Sequence, residues 1–314
     1  MKYVLITDTH FGVKNNSMTW YNSQADFIYK QLIPHIESMG EDVVLIHLGD
    51  VFDSRSSIST YIMKEVRKMF EDLSKIDNLK QIAIIAGNHD FYSPVSHDWC
   101  GMEVILNNIP KVKLVIREAF FNSENLLLIP WYIAEEQNFV NYSRGVVFTH
   151  SDILRYNNLK IPVFSGHMHV PDVCGNKRNL GSCFALDFND HDQDRYFYVW
   201  DSETDELQAI PNTQSIKFFR IYNEDIPNFD SENPNDYIEI YVRASLMHNS
   251  KILKAIERIT SKYKNSRLIP QPDELVEEAG IENADIETII KTSIPEHCRE
   301  KFDKIKDKVN GSTQ

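Results

Sequence analysis

Five times in residues 1–170 a short apolar run breaks off into a side chain that can hold a metal ion. The runs are Tyr3–Ile6, Val43–Leu48, Ile82–Ala86, Val146–Thr149 and Val163–Ser165, each the length of a buried strand. They end, in order, on Asp8-Thr9-His10, Gly49-Asp50, Gly87-Asn88-His89-Asp90, His150 and Gly166-His167-Met168-His169. Helical spacing separates several of them. From Asn22 to Met39, Ala25, Ile28, Tyr29, Leu32 and Ile36 share a stripe, with Pro34 a kink or boundary; from Tyr61 to Leu73 the stripe is Ile62, Val66, Met69, Phe70 and Leu73. Strands alternating with helices imply β-α-β wiring, which gathers strand ends along one edge of a sheet. In extended backbone, residues two apart point to the same side, so Asp8 joins His10 and His167 joins His169. The gathered ligands Asp8, His10, Asp50, Asn88, His150, His167 and His169 exceed what one ion takes. A carboxylate bridging two ions is the economical solution.

Further strands read at Val112–Ile116, Leu126–Ile129, Tyr196–Trp200 and Glu206–Ile210, with a short helix around Met102–Asn107. His47, inside an apolar run, reads as a packed core histidine, and His97 as loop surface. The loop Asp187–Arg195 carries Asp190, Asp192, Asp194 and His191, but lacks the spacing and glycine of a calcium loop and reads as solvated. Pro211-Asn212 closes a first domain, residues 1–212. Residues 216–222 and 237–243 read as strands, with a helix from Ser250 to Lys264. They form a small α+β unit within residues 213–270, where Lys217, Arg220 and Arg243 supply charge. Residues 271–314 are polar, with helical patterns such as Ile286/Ile289/Ile290 and Phe302/Ile305/Val309.

Composition narrows the function. The net charge is −13, most of it before residue 215, whereas a free-standing nucleic-acid binder is usually basic. Bound cations or a partner must therefore offset the charge for any polyanionic substrate. Cys100, Cys174, Cys183 and Cys298 are scattered with no CxxC pair, as expected of reduced thiols in a cytoplasmic protein. Met1-Lys2 runs straight into the first strand, leaving no room for a signal peptide, and no apolar run approaches the ~18 residues of a membrane span. With no GxxxxGK[ST], any ATP dependence must come from another chain.

The ordered set resembles the calcineurin-like metallophosphoesterase superfamily. Asp8-Thr9-His10-Phe11-Gly12-Val13-Lys14 resembles the opening motif of its Mre11/SbcD nuclease branch, and Gly49-Asp50-Val51-Phe52-Asp53 the second motif in its SbcD and phage forms. The short length and Ile129-Pro130-Trp131 look most like the T4-like phage members. The resemblance covers about residues 1–200. It implies an α/β fold: a two-sheet metallophosphoesterase sandwich flanked by helices, with a small C-terminal cap that engages DNA and a helical tail. One metal would be held by Asp8, His10, Asp50 and His169, the other by Asp50, Asn88, His150 and His167. The metals implied are two Mn2+, with Mg2+ a possible substitute. His89 would be the non-ligand histidine acting on the leaving oxygen, and Asp90 would fix its loop or orient an imidazole. Asp53 would orient His89 or cap the following helix. The implied activity is a DNA exonuclease or endonuclease in recombination, repair or replication. Its partners would be DNA, a Rad50/SbcC-like SMC-type ATPase contacted after Ala284, and a second copy in a homodimer, with no membrane. Its location would be cytoplasmic, in the host cytoplasm if phage-encoded. The alternative is a small-molecule phosphodiesterase or phosphatase on the same scaffold. A scaffold that kept the fold and lost catalysis is a third reading, which metal content would separate.

Overall fold

Residues 1–117, 120–121, 125–136, 144–156 and 158–273 are described by the computed structural model. The expected helical tail, with its ATPase contact after Ala284 and Cys298, lies outside the described residues. The strands are β1 (Lys2–Ile6), β2 (Val43–His47), β3 (Leu79–Ile85), β4 (Phe91–Ser93), β5 (Ser96–Cys100), β6 (Val112–Val115), β7 (Phe120–Phe121), β8 (Leu126–Ile129), β9 (Val146–Thr149), β10 (Val163–Ser165), β11 (Asp172–Cys174), β12 (Lys177–Asn179), β13 (Tyr196–Asp201), β14 (Glu206–Pro211), β15 (Phe218–Tyr222), β16 (Tyr237–Arg243) and β17 (Asn265–Gln271).

Two six-stranded sheets face each other. The first has the order β14-β13-β1-β2-β3-β6, with β1, β2, β3 and β6 parallel. The second has the order β11-β12-β10-β9-β8-β7, with β8, β9, β10 and β12 parallel. The period-two alternation of β1 shows the layering. Tyr3 and Leu5 face the other sheet, among Phe148, Phe164 and Trp200, whereas Val4 and Ile6 face the helices. Because β1, β2 and β3 run parallel, as do β9 and β10, their carboxyl ends open onto one rim. The site is built there.

Helix Thr60–Ser74 starts where the Ser59 hydroxyl accepts the Ile62 amide. It buries Ile62, Val66, Met69, Phe70 and Leu73 against the first sheet, each side chain contributing about 1.5–3 kcal/mol. An aspartate at Val66 would place a charge inside that layer and unseat the helix. The stretch expected as one helix over Asn22–Met39 is α-helical at Met18–Asp26, widens to a π-helix over Phe27–Leu32, and resumes as α-helix over Ile33–Ser38. Pro34 has no amide to give and its ring crowds the carbonyl of Lys30, so the wider turn lies just ahead of it.

The cap has its own core. Ile238, Ile240 and Val242 of β16 pack on Ile252, Ala255, Ile256 and Ile259 of helix Ser250–Lys262. All three cap strands run parallel, with helix Ser250–Lys262 crossing between β16 and β17. Its edge strand β17 lies beyond the two strands and one helix expected of this unit. The cap docks through Phe218 and Tyr237, stacked at 4.9 Å and flanked by Trp20 and Phe188.

Three local expectations are corrected. His97 is not loop surface: it lies on β5, half-buried, stacked on Tyr132 at 3.6 Å. The short helix is Gly101–Ile105. In the loop expected to be solvated, Asp190 is buried and paired with buried Arg195 at 2.6 Å, while Asp192 and Asp194 stay exposed.

Candidate metal centre and active site

Each of the five motifs sits just past the end of its strand, and each turns sharply. Gly49 has φ +104°, and a Cβ there would run into the His150 ring; a Cβ on Gly87 would strike the Asp50 carboxylate. The glycines ahead of Asp50 and Asn88 are thus required by close approach. Four candidate ligands are themselves in left-handed backbone: Asp8 (φ 50°), His10 (φ 47°), Asp50 (φ 53°) and His167 (φ 84°). Such conformations are costly outside glycine and collect at functional sites. They also correct the expectation of extended backbone at Asp8-Thr9-His10. Asp8 and His10 do meet, but by left-handed turns rather than by strand alternation.

The structure gathers the expected ligands into two groups. In the first, Asp8 Oδ1 lies 3.8 Å from both His10 Nε2 and His169 Nε2, which are 3.3 Å apart. In the second, His150 Nε2 lies 3.3 Å from Asp50 Oδ2 and 3.1 Å from Asn88 Oδ1, and His167 Nδ1 lies 2.9 Å from the same Asn88 oxygen. Asp50 stands between the groups, because its Oδ2 is also 3.8 Å from His10 Nε2. Its other oxygen accepts the His89 amide at 2.8 Å.

A divalent cation fits this donor set. Asp8 Oδ1 is buried and accepts no hydrogen bond, while two imidazole nitrogens are aimed at it. The His150 Nδ1 proton goes to the Leu48 carbonyl at 2.7 Å, which turns Nε2, the nitrogen that can hold either a proton or a metal, toward Asp50. Lone pairs collected inside a protein with so few protons between them call for a positive charge. Mixed oxygen and imidazole donors suit a divalent transition metal.

The electrostatics are those of a buried, mutually dependent cluster. Burial pushes the Asp50 carboxyl up, but His150, then His10 and His89, outweigh it and hold it well below the usual range. Asp8 behaves alike: burial is overcome by the neighbouring His10 and the His150 charge, leaving it at about 2. Burial lowers His150, yet Asp50 lifts it to about 9. His167 and His169 are lowered, chiefly by burial.

A third group surrounds His89. His89 Nδ1 lies 2.6 Å from the main-chain carbonyl of Asp53, and its ring meets that of His10 edge to face at 5.1 Å. The Asp53 carboxylate faces His10, with Oδ1 3.5 Å from Nδ1, and Asp53, His10 and His89 bring one ligand atom each within 4.8 Å of one another. The next helix is capped by Ser59 rather than by Asp53. Asp90 fixes the loop, as one of its expected roles has it. Its two oxygens accept the Gly87 amide at 2.9 Å and the Phe52 amide at 3.2 Å, tying the third motif to the second. Burial and the Asp50 charge push Asp90 up to about 7. Its hydrogen bonds go to backbone rather than to an imidazole.

Several supports had no clear signal in the sequence. Buried Gln24 donates to the Thr9 and His10 carbonyls. Ser182 Oγ donates to the Asp8 carbonyl at 3.0 Å, and Arg195, itself held by Asp190, donates to the His169 carbonyl. His47 is the expected core histidine, buried and pushed down to about 3 by burial, with Nδ1 accepting the Gly49 amide at 3.2 Å. Only Gln24 breaks an apolar pattern; the others become visible once the chain is folded.

Comparison with known proteins agrees with this geometry. Over 313 residues the chain is 26% identical to exonuclease subunit 1 of Enterobacteria phage T4, an alignment spanning 92% of this chain and 90% of that one. Among solved structures, it superposes on an archaeal phosphodiesterase with a TM-score of 0.39 and 16% identity, over 67% of this chain and 99% of the other. On the Pseudomonas putida nuclease MPE the values are 0.29 and 20%, over 59% and 70%. Those superpositions are too loose to carry function. Among the described residues no helix is long and apolar enough to cross a membrane. Residues 1–171 match the family model for calcineurin-like phosphoesterases, and the chain belongs to that family.

Proposed function

We propose that this chain is the manganese-dependent DNA nuclease subunit of an Mre11–Rad50/SbcCD-like complex, a two-metal phosphodiesterase of exonuclease and endonuclease type. The observation that carries the reading is the meeting of two ligand groups at Asp50, with a further histidine, His89, held beside them. Asp8, His10, Asp50 and His169 would hold one ion, and Asp50, Asn88, His150 and His167 the other. Divalent cations bound there supply charge neutralisation at the phosphodiester and a nucleophilic water at neutral pH.

The protein's own groups do the rest. His89 has Nδ1 tied to the Asp53 carbonyl, so Nε2 is the nitrogen free to deliver a proton to the leaving oxygen. Proton transfer of this kind is worth about 10²–10⁴-fold. Asp90 holds the loop that carries Asn88 and His89, and Asp53 sets the His10 ring from behind. DNA as substrate rests on the likeness to a phage exonuclease subunit along nearly the whole chain. An SMC-type ATPase partner, a homodimer and a DNA-engaging cap over residues 213–270 belong to the same reading. Its location would be cytoplasmic.

The test is manganese-dependent cleavage of end-labelled linear duplex and single-stranded DNA, with His89→Ala alongside and bis-p-nitrophenyl phosphate as second substrate. DNA cutting that disappears in the variant supports the nuclease. Hydrolysis of the small ester without any DNA cutting, with or without an ATPase subunit, would favour the small-molecule phosphodiesterase.

A further inference from the structure

The catalytic tetrapeptide runs directly into a hairpin whose outer surface is aromatic. Asp90 is followed by β4, and where β5 ends the Gly101 amide returns to the Asp90 carbonyl at 2.8 Å. Both feet of the hairpin thus stand on the catalytic loop. Phe91 and Cys100 are buried at its base, whereas Tyr92 and Trp99 are 63% and 74% exposed, and Val95 at the tip is 90% exposed. Only Asp90 and Phe91 separate Tyr92 from His89, a span of at most about 11 Å.

The backbone that carries these two residues is held in place. Phe91 pairs with Cys100 and Ser93 with Ser96, so one residue of β4, Tyr92, faces three of β5, His97, Asp98 and Trp99. That is a bulge, the device by which strands near active sites redirect a side chain. Arg117 fixes it, donating to the His97 carbonyl at 3.2 Å, the Asp98 carbonyl at 2.8 Å and both oxygens of Glu103 at 2.6 Å. The His97 ring, stacked on Tyr132, braces the same strand. An isolated two-stranded hairpin is marginal in water, but this one is anchored at its feet and at its bulge.

We propose that Tyr92 and Trp99 form a stacking platform for unpaired bases of the strand being cut, an inference that rests on the nuclease reading and extends it to single-stranded or frayed DNA. The charge pattern favours bases over phosphates. Asp98 is the one formal charge on the hairpin, in a chain of net charge −13, so the backbone of a nucleic acid is not held here by attraction. Aromatic faces bind any base without charge, so affinity can come from stacking while the metal centre takes the phosphate. A second copy of the chain is the weaker occupant. The two rings expose about 300 Å² together, well short of the ~800 Å² per partner of a stable interface.

The test compares Tyr92→Ala and Trp99→Ala with the wild-type chain in calcium, which is expected to hold DNA without cutting. Binding is read with a fluorescent single-stranded oligonucleotide and with an abasic strand of equal length. Each variant is expected to lose about 10-fold in affinity for the base-bearing strand and nothing for the abasic strand. Trp99→Phe should restore most of the loss. Manganese-dependent hydrolysis of bis-p-nitrophenyl phosphate should be unchanged in all of them, which also shows that they fold. Unchanged binding in variants of a chain that does cut DNA overturns the platform alone. So does equal loss on both strands, or a shift from dimer to monomer in sedimentation that accounts for the loss. A wild-type chain that hydrolyses the ester but neither binds nor cuts DNA, with or without an ATPase subunit, overturns the nuclease reading, and the platform with it.

Discussion

Asp50 and Glu239 are both buried carboxylates on parallel sheets, and their surroundings could hardly differ more. Glu239 lies in mid-strand on the cap, with Arg220 Nε at 2.9 Å on β15, Arg267 on β17 and the Tyr241 hydroxyl at 2.9 Å. Both guanidiniums also pack over the Phe188 ring, at 5.8 and 5.3 Å. The chain supplies its own counter-charge there, and the carboxylate is a strut between three strands. Asp50 stands at a strand end among His10, His150, Asn88 and Asp8, with no lysine or arginine among its ion-pair partners in the described residues. A buried acid with cations built in is complete. A buried acid surrounded by lone pairs is half of a site, and the other half comes from solution.

Removing Asp50 should break the comparison most severely. Asp50→Ala is expected to lower manganese-dependent ester hydrolysis by more than the ~10³-fold that one preorganised stabilising group is worth, since both ligand groups lose their shared member. Calorimetry supplies the companion result. Manganese at 100 times its dissociation constant should stabilise the wild-type chain by about 2.7 kcal/mol, and this gain should vanish in Asp50→Ala. His89→Gln comes next, with a loss of about 10²–10⁴-fold in rate but the metal-dependent stabilisation intact. If that stabilisation vanished too, His89 would be a ligand rather than the proton donor.

The same contrast explains what could be read before folding. All seven expected ligands meet at the rim because strand runs and their polar breaks are local signals, and parallel wiring does the gathering. The pairing of Asp8 with His10 was legible only as an outcome, since no spacing rule reports four left-handed turns. The hold of Asp53 on His89 runs through the main chain, which every residue type shares, so no side-chain signal reports it. In the cap, β17 is an edge strand with a proline and little buried surface, and its identity comes from seven paired positions along β16. The π-helix ahead of Pro34 and the Asp190–Arg195 pair are likewise products of tertiary context.

Asp53→Ala sharpens the comparison within the site. The substitution removes the carboxylate facing His10 and keeps the carbonyl that holds His89. Titration calorimetry should show manganese affinity falling about 10–100-fold, as for other groups that orient a ligating histidine from behind. Unchanged affinity with a slower rate would reassign the side chain to catalysis.

Glu239→Gln is the smallest effect and the direct counterpart of Asp50→Ala. The amide keeps the shape and one acceptor oxygen, while two charge-assisted bonds are weakened at once. Arg267 is 64% exposed and can re-solvate, so the loss is discounted to about 1–2 kcal/mol rather than the 3–5 of a fully buried pair. Urea unfolding should show that decrease, with ester hydrolysis and metal-dependent stabilisation as in the wild-type chain. Loss of ester hydrolysis would mean that the strut also sets the metal centre. Phe188 is the route such coupling would take, because it belongs to the loop held by the buried Asp190–Arg195 pair, and Arg195 donates to the carbonyl of His169.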